Sequence, residues 1–152
     1  MSKTAHQIKT KVFSYEKNND DNKLILDKFI KFFPFSLEQE KIELSERNVS
    51  GFDERKITIF EVTLIKEKHT SKFLENLTKN LDKNQKELSL SQLESRLDDN
   101  LDFFLRFDKD KYLENDLLQL TDSGNCFHVE MSIAAFPKKR DIAVEIIKQI
   151  FE

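Results

Sequence analysis

With 152 residues, 38% of them hydrophobic and 35% charged, the chain has the size of one ordinary domain and enough length to bury a core. Its 14 phenylalanines argue against disorder, and a formal net charge of −3 excludes a uniformly basic surface while leaving room for a local cationic patch. A single cysteine, Cys126, rules out an intramolecular disulfide, and no apolar run approaches a membrane span, so one cytoplasmic domain over residues 1–152 is expected, with no membrane partner.

Residues 6–15 form an extended stretch, with Ile8 and Val12 on one side and Lys9, Lys11, Phe13 and Tyr15 on the other. Residues 17–22 read as a turn. Beyond it Leu24, Ile25, Phe29, Ile30 and Phe33 recur at helical spacing until Pro34. Residues 41–47 and 56–68 read as two strands of an antiparallel hairpin, joined through residues 48–54 with Gly51. The apolar parity of the second strand switches between Ile59 and Phe60, which predicts a bulge or burial on both faces.

Thr70 or Ser71 opens a helix striped by Phe73, Leu74, Leu77 and Leu81. A further helix carries Leu90, Leu93 and Leu97, with Ser91 and Glu94 spaced as a capping box. This region reads equally as a tight helical hairpin or as an extended arm for a homodimer. Residues 101–107 alternate as a strand, residues 108–116 make a charged connector, and residues 117–120 read as a short strand. A turn over residues 122–125 leads to the clearest strand, residues 126–134, where Phe127, Val129, Met131 and Ile133 alternate with polar residues. Pro137 suits the first turn of a last helix, buried through Ile142, Ile146, Ile147 and Ile150.

The predicted order is β-α-β-β-α-α-β-β-β-α. One-sided strands and one-sided helices predict an α+β two-layer sandwich, a mostly antiparallel sheet with helices on one face and the other face open.

Catalysis finds little footing. The carboxylate pairs Asp20/Asp21, Asp98/Asp99 and Asp108/Asp110 fall at element ends, where aspartate caps backbone. His6, His69 and His128 lack metal-ligand spacing, and two glycines are too few for a phosphate loop. No enzyme activity, cofactor or metal is expected.

Cations are more informative. Lys138, Lys139 and Arg140 follow Pro137 at a helix start, a natural receptor for phosphate. Arg106, Lys109 and Lys111 form a second cationic point. On the open face, Phe104 and Tyr15 are candidates for stacking unpaired bases, beside Lys9, Lys11, Phe13, Arg106 and His128.

RFDKDKYLENDLLQL, from Arg106, and AAFPKKRD, from Ala134, resemble segments of the archaeal family of small RNA-binding proteins described as predicted exosome subunits. The likeness is specific over residues 101–150, with Phe136 where the family usually has tyrosine and Asp110 where it has an amide. It implies a two-layer α/β fold similar to that of the ribosomal protein that binds 5S ribosomal RNA. It also implies RNA as partner, a place in RNA processing beside exosome or other proteins, and Arg106, Lys109, Lys111, Lys138, Lys139 and Arg140 as the phosphate-facing set. A protein-interaction subunit with little direct RNA contact is the competing expectation.

Overall fold

The computed structural model describes residues 3–152. Its elements are β1 (Ala5–Tyr15), α1 (Asn22–Ile30), β2 (Leu44–Ser50), β3 (Lys56–Leu64), α2 (Glu67–Asn80), α3 (Lys83–Ser91), α4 (Leu93–Arg96), β4 (Asp102–Asp108), α5 (Lys109–Asn115), β5 (Cys126–Ile133) and α6 (Arg140–Phe151). The strands form one sheet in the order β2-β3-β1-β5-β4, every neighbouring pair antiparallel. Alternation sets its two faces. Ile8, Val12, Phe60, Val62, Phe103, Leu105, Phe107, Phe127, Val129 and Met131 are buried under the helices. The expected α+β two-layer class is therefore the observed one.

The parity switch in β3 is burial on both faces. Its pairing with β1 runs without interruption, and Ile59 is buried on the open side opposite Phe13. Across the helical face, Phe127 gathers Phe32 and Tyr112, each at 5.1 Å between ring centroids, and Phe29 at 6.4 Å.

Several boundaries differ from the expected ones, each for a local reason. Residues 117–120 are no strand. Leu120 makes one bridge to Phe107, while Asp108 N–H donates to Gln119 O (2.8 Å) and Thr121 N–H to Arg106 O (2.9 Å). This irregular segment covers the outer edge of β4. The charged connector is a helix, because the Asp108 carboxylate caps it by accepting Lys111 N–H. Lys41 takes a left-handed φ of 57°, so β2 begins only at Leu44.

α1 ends at Ile30, and Phe32 and Phe33 follow in tightened turns that seat both rings in the core. α2 starts at Glu67, with Thr70 buried and its hydroxyl donating to Glu67 O. No capping box forms at Ser91, whose hydroxyl donates to Leu88 O; Asp82 instead caps α3. Leu77, Leu81, Leu93 and Leu97 are all buried, so this region folds back on the domain as a helical hairpin and not as an extended arm.

Candidate nucleic-acid interface

Register decides what stands together on the open face. Arg106 lies opposite His128, His128 opposite Lys11, and Lys11 opposite Glu61, one row across four strands. In the next row Phe104 faces Glu130, and Glu130 faces Lys9. Phe13 and Tyr15 stack at 6.1 Å, Phe13 meets His128 edge-on at 5.9 Å, and the Lys11 ammonium sits 5.6 Å from the Phe13 ring centre. Glu61 engages two of the neighbouring cations, Lys9 and Arg47, each at 3.8 Å. The face is thus an aromatic strip bordered by cations, with Glu61 and Glu130 set among them. At its end, where β2 turns into β3, Tyr15, Phe52, Arg55 and Ile57 help line a cavity of about 230 Å³.

His128 stands between two cations. Burial first, then Lys11 and Arg106, push its imidazole down to about 4, so it is neutral at neutral pH. In the unfolded chain the ring titrates near 6.5. Stability from the neutral ring is therefore complete above pH ~6.5 and is lost as pH falls toward 4. His128→Gln is expected to flatten the fall in urea midpoint between pH 7 and 5. An unchanged pH slope would mean that the ring is solvated.

The six cations expected to face phosphate separate into two groups. Lys138, Lys139 and Arg140 lie beyond the end of β5, near Leu101 and the start of β4. Arg106, Lys109 and Lys111 belong to the other end of β4; from Asp102 to Arg106 is about 13 Å at ~3.3 Å per residue. Pro137 does not open the last helix. α6 begins at Arg140, with Lys139 extended at its N-cap and no side chain capping it. Lys138 and Lys139 are exposed and make no ion pair among the described residues. Arg140 is partly engaged, donating to Leu97 O (3.1 Å), Glu94 O (3.1 Å) and the Glu94 carboxylate (3.0 Å).

Lys111 and Arg106 are exposed, and Arg106 Nη1 donates to Asp122 O at 3.2 Å. Lys109 departs from expectation. It is 1% exposed, its ammonium donating to Asp20 Oδ2 (2.7 Å) and Phe13 O (2.9 Å) and lying 5.0 Å from the Tyr15 ring centre. A buried, paired ammonium cannot face a phosphate. Phe104 and Tyr15 do stand on the open face, Phe104 exposed and Tyr15 half-buried.

At least one aspartate of each pair acts on backbone: Asp21 caps α1, Asp98 accepts the N–H groups of Asn100 and Asp102, and Asp108 caps α5. No cluster of three His, Cys, Asp or Glu side chains that could hold a metal occurs among the described residues. Cys126 is buried and its thiol pushed up to about 11, chiefly by burial. No helix of the described residues is long and apolar enough to cross a membrane.

A family model described as RNA binding matches residues 7–133. The RNA-binding protein PAB1135 of Pyrococcus abyssi is 25% identical over 149 residues, covering 97% of this chain and 94% of its own length. The crystal structure of AF2318 from Archaeoglobus fulgidus, of the family DUF54, superposes with a TM-score of 0.79 at 23% identity, covering 98% of this chain and 99% of that one. A DUF54 protein from Methanothermobacter thermautotrophicus superposes at 0.76 with 25% identity and the same coverage.

Proposed function

The chain belongs to this RNA-binding family, and from that premise we propose that it is a non-catalytic RNA-binding protein of RNA processing, working in the cytoplasm. Phosphates are held at the junction of Lys138, Lys139 and Arg140, with Arg106 and Lys111 as further contacts. Phe104 and Tyr15 offer rings to unpaired bases.

One observation carries the reading. Two exposed lysines, without an ion pair among the described residues, stand at the start of α6, where no side chain caps the N–H groups. Cations there oppose the helix dipole by about 0.3–1 kcal/mol each at exposed sites. A phosphate at the same place is attracted by the dipole and by the lysines together. Such contacts bring affinity with little base preference.

Fluorescence-anisotropy titrations of one single-stranded and one hairpin RNA across a salt series test this. Binding is expected to weaken with salt by roughly 0.7 log units per log unit for each phosphate contact on a single strand. Lys138→Glu with Lys139→Glu is expected to weaken binding to every sequence alike and to lower that slope by about 1.4, two contacts' worth. Unchanged affinity and slope would remove the junction from the reading. Labelled RNA incubated with the protein and magnesium or manganese is expected to stay intact; cleavage that co-purifies with the protein would overturn its non-catalytic part.

A second reading, a protein-interaction subunit of the exosome or another RNA-processing assembly, draws on Phe52 and Phe136, whose rings project fully into solvent. Partners that survive RNase treatment in a pull-down favour it, and partners lost on that treatment count against it. The same rings suit a homodimer, which sedimentation separates from a monomer.

A further inference from the structure

Two guanidinium groups meet one exposed residue, Asp122, at the outer edge of β4: Arg96 at its carboxylate and Arg106 at its main-chain carbonyl. Arg96, at the end of α4, is only 8% exposed. Its Nε and Nη2 donate to Gln92 Oε1 at 2.9 and 2.6 Å, and its Nη1 to Phe104 O at 3.5 Å. A guanidinium has five N–H groups. Three of Arg96's are used, so two are left without a hydrogen bond among the described residues. Its anion is Asp122, 3.8 Å from Nη2 and therefore beyond hydrogen-bond reach, on a side chain 96% exposed. Arg106 comes to the same residue through Asp122 O. Burial works against the Arg96 charge, Asp122 supports it, and Arg106 opposes it.

Arginine does not shed its proton in a protein, so this is a largely buried cation whose counter-ion stands almost wholly in water. We infer that Arg96 and Arg106 form a two-guanidinium clamp for one phosphate group of a bound strand, and that in the free protein the Asp122 carboxylate stands in for that phosphate beside Arg96. The identity of the ligand rests on the RNA-binding reading; the clamp itself rests on the two arginines. The planar fork of arginine matches phosphate oxygens, and Gln92 already fixes the plane of Arg96, which lowers the ordering cost of binding.

Placement supports the same conclusion. Arg140 is anchored on the carbonyls of Glu94 and Leu97, which lie two residues before and one after Arg96. Arg96 therefore stands between the two separated groups of cations and links them along the β4 edge. Phe104 and Arg106 share a face of β4, so a base next to the clamped phosphate has a ring to stack on. The turn that carries Asp122 is held by Ser123 N–H on the Thr121 hydroxyl and Asn125 N–H on the Ser123 hydroxyl. The Asp122 side chain takes no part in these bonds and can swing away without breaking them.

Titration with inorganic phosphate, followed on arginine Nε–Hε NMR signals, tests the clamp without RNA. Arg96 and Arg106 are expected to shift together on one saturating curve. Shifts that are absent, or equal to those of the exposed Arg47 and Arg55, overturn it. With single-stranded RNA, Asp122→Asn is expected to tighten binding about two- to fivefold, the worth of an exposed ion pair that no longer has to break.

Glu87→Gln, the same charge change at an exposed position on α3, is expected to leave affinity unchanged. Equal gains in both variants would reduce the effect to net charge and overturn the clamp. Arg96→Lys keeps the charge and loses the fork; it is expected to weaken binding about tenfold and to abolish the gain from Asp122→Asn. Paired phosphate shifts in a protein that binds no RNA would instead overturn the RNA-binding reading and leave the clamp standing.

Discussion

Asp20→Ala is expected to lower the stability of the fold by about 3–5 kcal/mol, the cost of stranding a buried ammonium. Lys109 is withdrawn almost entirely from water, and its charge is met by one carboxylate and one backbone carbonyl. Removing Asp20 keeps the charge and deletes its counter-charge. Lys109→Met deletes the charge and keeps most of the hydrocarbon stem, so it should cost distinctly less. It still leaves Asp20 one donor, Tyr15 N–H at 2.9 Å. Urea midpoints of the two variants give the ordering. A loss below about 1 kcal/mol for Asp20→Ala would place the pair among solvated surface ion pairs. Lys109→Met is also expected to leave the salt slope of RNA binding unchanged, because this lysine faces the protein.

Phe127→Ala should be comparably damaging, at about 3–5 kcal/mol. The ring is fully buried where β5 meets α1 and α5, in contact with Phe29, Phe32 and Tyr112. Its loss opens a void bounded by rigid rings that cannot collapse to fill it. Phe104→Ala makes the complementary case on the opposite face of the sheet. It should change stability by no more than about 0.5 kcal/mol, while lost stacking weakens RNA binding by about 1–3 kcal/mol. The two variants separate what the phenylalanines do for the core from what they do for the open face.

Much of this architecture was legible because alternation is a local signal. Residues 126–134 show it without interruption, and the structure has β5 at Cys126–Ile133. The open-face placement of Phe13, Tyr15, Phe104, Arg106 and His128 follows from parity alone. Lys109 was not legible, because its burial depends on Asp20, 89 residues earlier in the chain. Its own neighbours form a charged run that reads as surface. Arg96 was missed for the same reason: Gln92 is close in sequence, but Asp122 and Arg106 are brought to it only by the fold. Residues 117–120 carried an apolar signal for burial, which is correct for Leu118 and Leu120, but burial alone does not specify a ladder.

The covered edge of β4 bears on self-association. Gln119 and Thr121 already occupy its backbone groups at Asp108 and Arg106, whereas among the described residues β2 pairs only with β3. Strand addition therefore has one open end and one blocked end. A second copy adding at β2 would present its own blocked edge outward, so polymerisation by edge pairing terminates at two chains and a crowded solution gains no fibre seed from this sheet.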